Sequence, residues 1–177
     1  NPRYSELAKY DRCGLRTKTR EALGLGGDKV VLWAGQPNDD NSYQALSRLI
    51  KQLPDRRFIL LFRAHPRDKA YSDGRYTELL AQAPVTILDV TENKEPLGLY
   101  CASDLVITQF SSAGVEASFI GVPALYVLFE DLGQQYLITR KGYDSLPWCN
   151  DGCAFLIERE DDIKDVLDRA IFDESSR

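Results

Sequence analysis

The sequence predicts a doubly wound α/β domain in which helices cover both faces of a parallel sheet. Short apolar, β-branched runs alternate with segments of helical periodicity along all 177 residues. The runs are apolar at consecutive positions, which is typical of strands buried on both faces. Right-handed crossovers between them predict one Rossmann-like domain over residues 1–177, with the strand order 3-2-1-4-5-6.

The six strands are predicted from apolar runs bounded by glycine, proline or polar residues. They are Lys29–Ala34, Phe58–Phe62, Val85–Leu88, Leu105–Thr108, Pro123–Phe129 and Ala154–Ile157. All are far shorter than the roughly 20 apolar residues that cross a membrane. The polar start, which lacks methionine and the apolar stretch of a signal peptide, indicates a piece of a longer protein. We expect a cytoplasmic protein, with peripheral membrane attachment only through the missing half.

The helices are predicted between the strands and at both ends. They are Leu15–Leu23, Tyr43–Leu53, Arg75–Gln82, Pro96–Ala102, a helix from Phe110–Gly114 to about Ile120, and Glu160–Phe172. The polar stretch Gly35–Ser42 is predicted as a turn in which Asp39 and Asp40 are turn residues. Ser42 is then the expected N-cap of the next helix.

Composition excludes several classes of ligand. The net charge of −5 argues against binding a nucleic-acid backbone, which clustered Lys and Arg would favour. The four cysteines form no C-x-x-C pair and His65 is the only histidine, so we expect neither a metal site nor a cofactor. Cys101 is predicted to be a buried apolar residue, whereas Cys149 and Cys153 are expected to be free thiols.

Three polar segments follow the first, second and fourth strands. They are Gly35-Gln36-Pro37, His65-Pro66-Arg67 and Phe110–Gly114. In open α/β sheets, ligands bind at the carboxyl ends of the strands where the strand order reverses. The first and fourth strands are neighbours at that point, so we expect their loops to face one crevice.

The third segment combines two serines with a helix start. Either Ser111 or Ser112 could be the N-cap, and the same helix end has exposed N–H groups and a positive dipole that suit a phosphate. Small residues at Ser112, Ala113 and Gly114 allow a phosphate to approach the backbone. Glu116 lies four residues after Ser112 and therefore on the same helix face. The alternative interpretation of Glu116 is that it stabilises the helix as an acid in the first turn, near the positive end of the helix dipole.

The second segment places basic side chains at one strand end of an acidic chain. Arg63, His65 and Arg67 are candidate donors to an anionic ligand, although a histidine in a loop also occurs by chance. Near the C-terminus, Tyr143, Pro147 and Trp148 could stack on a base or sugar, but core packing is the favoured interpretation.

The run SDLVITQFSSAGVEASFIGVPALYVLF, residues 103–129, resembles the C-terminal, donor-binding domain of GT-B-fold glycosyltransferases and the related UDP-N-acetylglucosamine 2-epimerases. NPRYSELA at the start resembles the segment with which such chains enter their second domain, and VVLWAGQP resembles its first strand and turn. The HP and SS motifs also resemble those of CDP-glycerol-type transferases and some bacterial sialyltransferases. The Ser-Ser turn departs from the Ser-Gly-Gly of the epimerases.

The resemblance implies a nucleotide-sugar donor site. It implies phosphate contacts from His65, Ser111 and Ser112 and a ribose contact from Glu116; Gly35, Gln36, Arg67, Ala113 and Gly114 complete the predicted nucleotide-binding set. The expected ligand is a UDP-sugar, and CMP- or CDP-linked sugars are the alternative. The enzyme would use this donor in polysaccharide or cell-surface glycan synthesis. Acceptor site and catalytic base would lie on a missing N-terminal domain. The alternatives are an epimerase-like enzyme and a non-catalytic nucleotide-binding module.

Overall fold

A computed structural model describes residues 9–37, 39–54, 57–142, 144–150 and 153–173. It contains a six-stranded sheet in the order β3-β2-β1-β4-β5-β6, and every neighbouring pair is parallel. The strands are β1 Val30–Ala34, β2 Ile59–Arg63, β3 Thr86–Asp89, β4 Leu105–Thr108, β5 Ala124–Val127 and β6 Phe155–Ile157. The predicted fold class and strand order are therefore confirmed.

The strands are joined and flanked by helices. These are α1 Arg12–Leu23, α2 Asp39–Lys51, α3 Lys69–Ser72, α4 Tyr76–Ala81, α5 Pro96–Ala102, α6 Ser112–Phe119, α7 Pro147–Asn150 and α8 Ile163–Phe172. Two π-helical turns, Glu130–Gln134 and Leu137–Lys141, follow β5, and the 3-10 turn Glu160–Asp162 precedes α8. The short helix α3 was not predicted, whereas the bounds of α5 and β4 agree with the prediction.

The predicted start of the second helix is wrong. Helix α2 begins at Asp39, so Asp40 lies in its first turn instead of in a loop. Acidic residues are favoured there because they face the positive end of the helix dipole. Ser42 is not the N-cap: it is a fully buried residue of the helix, and its Oγ accepts a hydrogen bond from the backbone N–H of Gln36 at 3.2 Å.

Apolar side chains cover both faces of the sheet, as expected for parallel strands. Alternate residues of β1 point to opposite faces: Val31 and Trp33 join the core under α2 and α8, whereas Val30 and Leu32 join the core under α5 and α6. Full burial of one such side chain contributes about 1.5–3 kcal/mol. The sheet is therefore a well-packed support for the loops that follow its strands.

None of the residues of helix α1 is buried, and the helix is attached by the half-buried Leu23, which packs against the core, and by polar contacts. Arg16 donates to the carbonyl oxygens of Cys101, Ala102 and Ser103 at the end of α5. It also pairs with Asp104 at 3.0 Å, and the other carboxylate oxygen of Asp104 accepts from the backbone N–H of Val30 at 2.9 Å. Asp104 thus joins α1 to the amino ends of β1 and β4.

The cysteines are free thiols, and Cys101 is fully buried as predicted. Burial raises the pKa of Cys149 to about 12. Among the described residues, no group of three or more His, Cys, Asp or Glu side chains could hold a metal ion. Within the same residues, each helix is too short or too polar to cross a bilayer.

Candidate functional site

Three loops meet at the carboxyl ends of the central strands. They are the GQP loop (Gly35–Pro37) after β1, the HPR loop (His65–Arg67) after β2 and the SSAG turn (Ser111–Gly114) after β4. Because β1 pairs with both β2 and β4, the GQP loop lies between the other two. The structure therefore places the three predicted segments side by side at one edge of the sheet, next to the point where the strand order reverses, and the space over them is termed the crevice.

The GQP loop is packed directly against the HPR loop. The Gly35 N–H donates to the carbonyl oxygen of Arg63 at 2.8 Å. A Cβ added at Gly35 would lie 3.2 Å from that oxygen and 3.3 Å from the backbone N of His65. The absence of a side chain at Gly35 thus permits the close approach of the two loops.

Gln36 connects the GQP loop to the strand that precedes the SSAG turn. Only 5% of Gln36 is exposed, and its Nε2 donates to Thr108 Oγ1 at 3.1 Å. Thr108 Oγ1 in turn donates to the carbonyl oxygen of Ala34 at 2.8 Å. Gln36 therefore holds β1 and β4 together, and its role as a ligand contact stays a prediction.

Ser111, and not Ser112, is the N-cap of α6. Its Oγ accepts from the N–H of Ala113 at 3.2 Å, and its carbonyl oxygen accepts from the N–H of Gly114 at 3.3 Å. The N–H groups of Ala113 and Gly114 are thus engaged within the turn. Ser112 is exposed, and its backbone N–H has no hydrogen-bond partner in the described part of the chain. This amide and the Ser112 hydroxyl are the groups that the turn offers to a ligand.

Glu116 lies beside Ser112 on the same face of α6, as its spacing predicts. Ser112 Oγ donates to Glu116 Oε1 at 3.0 Å, and only 5% of Glu116 is exposed. With Ser111 as N-cap, the first turn of α6 contains no acid, so the interpretation of Glu116 as a first-turn acid is wrong. A carboxylate offers about four lone-pair positions and can accept further hydrogen bonds beside that of Ser112.

Gly114 is required by packing against the sheet. A Cβ at this position would lie 2.3 Å from the hydroxyl oxygen of Tyr126 and 2.6 Å from its Cζ. Tyr126 belongs to β5 and is fully buried. The small residue at position 114 therefore has a structural cause, independent of any ligand.

The HPR loop is basic and is supported by a buried acid that the sequence analysis missed. His65 Nδ1 accepts from the N–H of Arg67 at 3.1 Å, and burial, together with Arg67 and Arg63, lowers the His65 pKa. Asp68, of which 3% is exposed, caps α3 and accepts from the Tyr76 hydroxyl at 2.8 Å. Burial raises the pKa of Asp68. An Asp before a helical segment is an N-cap signal that could have identified it.

Core packing, the favoured interpretation for the residues near the C-terminus, is confirmed for Trp148, whereas Pro147 is exposed. The Trp148 ring lies 5.9 Å from that of Tyr126 and packs against the cluster around it. Tyr143 lies outside the described residues, as does the NPRYSELA segment. Sequence reasoning missed the pair of Phe110 and Tyr136, whose stacked rings lie 4.9 Å apart next to the SSAG turn.

Comparisons with known proteins bear on the fold of the chain. No family model matches the chain. Over 129 residues, 71% of the chain, it is 29% identical to UDP-N-acetylglucosamine–N-acetylmuramyl-(pentapeptide) pyrophosphoryl-undecaprenol N-acetylglucosamine transferase of Rhodococcus erythropolis. The matched region is 32% of that transferase, so the chain spans about a third of its relative.

Several solved structures share the fold. The wall teichoic acid polymerase TagF superposes with a TM-score of 0.64 at 19% identity, over 94% of this chain and 40% of TagF. Anabaena HepE, in complex with UDP and glucose, gives 0.58 at 20% identity, over 97% of this chain and 46% of HepE. A Listeria monocytogenes protein named as a UDP-N-acetylglucosamine 2-epimerase superposes with a TM-score of 0.59 at 15% identity, over 87% of this chain and 39% of that protein. The expected resemblance to the C-terminal domain of GT-B proteins is confirmed.

Proposed function

We propose that this glycosyltransferase-like domain binds the nucleotide-sugar donor, a UDP-sugar, of an enzyme of polysaccharide or cell-surface glycan synthesis. The observation that carries the proposal is that the SSAG turn, whose Ser112 amide has no partner among the described residues, and the basic HPR loop lie at the same edge of the sheet. Two features of the crevice match two parts of a nucleotide sugar, the diphosphate and the ribose.

The diphosphate is assigned to the gap between Ser112 and the HPR loop. Helix α6 points its positive end at this gap, and the unpartnered N–H of Ser112 is a donor of the kind that phosphate oxygens accept. His65 and Arg67 supply further donors from the other side, and Arg67 is exposed. The chain carries a net charge of −5, so this basic loop is a local inversion of sign that favours an anion.

The ribose is assigned to Glu116. A carboxylate can accept from both hydroxyls of a ribose, and the Ser112 hydroxyl already orients Glu116 by occupying one acceptor position. Glu116 is almost fully buried, so hydrogen bonds to it are stronger than they would be in water. Burial and orientation together make Glu116 a preorganised acceptor.

The uracil base is supported by the comparisons and not by a contact in the crevice. The related transferase is named for a UDP-sugar donor, and the HepE structure contains UDP. A cytidine nucleotide is the competing ligand, because the HP and SS motifs resemble those of CDP-glycerol-type transferases. Binding measurements with both bases distinguish the two.

The activity is proposed for a larger protein. The chain spans 32% of the related transferase and 40% of TagF. We assign the acceptor site and the catalytic base to a second domain that precedes this one. Alone, the described domain then binds nucleotide and transfers no sugar. An epimerase-like parent is the second candidate, because the Listeria protein named for that activity has the same fold.

Isothermal titration calorimetry with UDP, UDP-N-acetylglucosamine, CDP, CMP and NAD tests the proposal. We expect UDP to bind most tightly. The variants Ser112→Ala and Glu116→Gln should each weaken the affinity for UDP about tenfold, which is the effect of one lost charge-assisted hydrogen bond. Ser118→Ala is the matched control, since it removes a hydroxyl from the same helix that bonds only the Gly114 carbonyl oxygen. Equal UDP affinity in all variants would refute the assigned site.

The transferase and epimerase candidates differ in their products. The full-length parent, incubated with UDP-N-acetylglucosamine, releases free sugar if it is a hydrolysing epimerase and retains the donor until an acceptor is added if it is a transferase. Free 2-epimerised sugar formed without acceptor would reject the transferase assignment.

A further inference from the structure

A second cavity lies beside the candidate site, between the loops that follow β2 and β3. Its volume is about 290 Å³, and Arg63, Pro66, Asn93 and Lys94 are among the residues that line it. Small-molecule pockets usually span roughly 300–1,000 Å³, so this cavity suits a small group and not a whole nucleotide. Pro66 belongs to the HPR loop, which therefore separates this cavity from the crevice.

Arg63 distinguishes the cavity from an ordinary surface depression. It is the last residue of β2 and half-buried, and its Nε is withheld from water without a hydrogen-bond partner in the described residues. By contrast, Arg16 pairs with Asp104 and Arg48 pairs with Asp131. A buried charged donor that lacks an acceptor is unfavourable, and an anion in the cavity that Arg63 lines would place negative charge beside it.

The other charges around the cavity are compatible with an anion. Lys94 adds a second positive charge, and Glu92 is the only acid that lines it within the described residues. Glu92 and Lys94 are both exposed, so solvent screens their opposite charges, whereas Arg63 is half-buried and less screened. Asn93 Oδ1 accepts from the N–H of Glu95 at 2.8 Å, which leaves the amide N–H₂ of Asn93 as a donor.

We infer that the Arg63 cavity is an anion subsite for a phosphate or carboxylate group on the donor sugar or on the acceptor. Naming these two carriers rests on the proposed function. Neighbouring strands are about 4.8 Å apart, so the gap between β2 and β3 lies about 10 Å from the gap between β1 and β4. A group attached to a sugar beyond the diphosphate can span that distance.

The anion subsite is tested with inorganic phosphate and the ¹⁵N-labelled chain. We expect the Nε–Hε resonance of Arg63 to shift saturably with phosphate, and Arg63→Gln to weaken phosphate binding at least about tenfold. Arg63→Lys keeps the charge without the planar fork and should be intermediate. The matched control is Arg57→Gln: Arg57 precedes the same strand, is exposed, and pairs with Asp28. Circular dichroism checks that each variant is folded.

A resonance of Arg63 that phosphate does not move, or unchanged phosphate affinity in Arg63→Gln, overturns the inference. If Arg63→Gln does not fold, an unaltered affinity in Arg63→Lys together with a silent resonance overturns it. Saturable phosphate binding that UDP neither requires nor prevents supports a separate subsite. If phosphate binds at Arg63 but the chain does not bind UDP, the anion subsite is supported and the proposed function is rejected.

The carrier of the anionic group is distinguished by two donor sugars. If the donor carries the anionic group, Arg63→Gln weakens the binding of UDP-glucuronate about tenfold more than the binding of UDP-glucose. If the acceptor carries it, the variant affects the two donors equally, and phosphate still binds wild type saturated with UDP-glucose. Both results support the subsite, because each requires anion recognition by Arg63.

Discussion

The substitution Gly114→Ala tests why the first turn of α6 is built from small residues. The added Cβ would lie 2.3 Å from the Tyr126 hydroxyl oxygen and 2.6 Å from Cζ, both below any tolerated contact, so α6 or the buried ring must move. Overpacking costs about 1–3 kcal/mol, and contacts as short as these place the cost in the upper part of that range, about 2–3 kcal/mol. Replacing a helical glycine by alanine recovers about 1 kcal/mol. The net expectation is a loss of about 1–2 kcal/mol.

Thermal unfolding followed by circular dichroism measures this loss. For a chain of this size, about 1–2 kcal/mol lowers Tm by about 2–8 °C. Gly27→Ala is the matched control because a Cβ at Gly27 meets no atom within 4 Å. Its Tm should stay the same or rise slightly, since alanine reduces the freedom of the unfolded chain.

The same variant separates packing from ligand binding. If Gly114 is needed only to let phosphate approach, Gly114→Ala lowers nucleotide affinity and leaves Tm unchanged. A variant as stable as the wild-type protein would refute the packing argument. The double variant with Tyr126→Phe should regain part of the stability, because the nearest atom of the clash is then absent and Cζ remains close.

Three further outcomes follow from the ionisable groups. Burial raises the pKa of Asp68, so the folded protein holds this proton more tightly than the unfolded chain does. The free energy of unfolding of wild type relative to Asp68→Asn, measured by urea titration, should therefore fall as pH rises from about 3 to about 7. A difference that does not change with pH would contradict this. The lowered pKa of His65 keeps it neutral near pH 7, so UDP binding should take up a proton and tighten as pH falls from about 8 to about 6. Calorimetry in buffers of different ionisation enthalpy measures that uptake, and pH-independent binding in wild type, or the same dependence in His65→Gln, would reject it. The Cys149 pKa of about 12 leaves little thiolate at about pH 8, so this half-buried thiol should react with a disulfide reagent more slowly than the exposed Cys13. Equal reaction rates of the two thiols would contradict the shielding of Cys149 from solvent.

The sequence determines the sheet well because few topologies fit its pattern. Apolar strands buried on both faces and right-handed crossovers leave little choice but a doubly wound order, and that order places the three loops together. The start of α2 could not be predicted in the same way. Asp39 and Asp40 are equally suited to a turn and to the first turn of a helix, and only the surrounding packing decides between them.

The candidate site was predictable in its residues more than in their roles. Spacing alone placed Glu116 beside Ser112, because residues four apart share a helix face. It could not decide which of two adjacent serines caps the helix. Nor could it show that Gly114 packs against Tyr126, since that contact joins a helix to the following strand and depends on the distance between them.

The two strands at the centre of the sheet are fastened to each other beyond their backbone ladder. At one end, the Asp104 carboxylate accepts the amide of Val30; at the other, Gln36 and Thr108 connect to the Ala34 carbonyl oxygen. We therefore expect the spacing of β1 and β4 to stay the same when a ligand binds or leaves. Any change in the width of the crevice then has to come from the GQP loop, the HPR loop and the SSAG turn. Amide hydrogen exchange should therefore be slowest in β1 and β4 and fastest in these three loops.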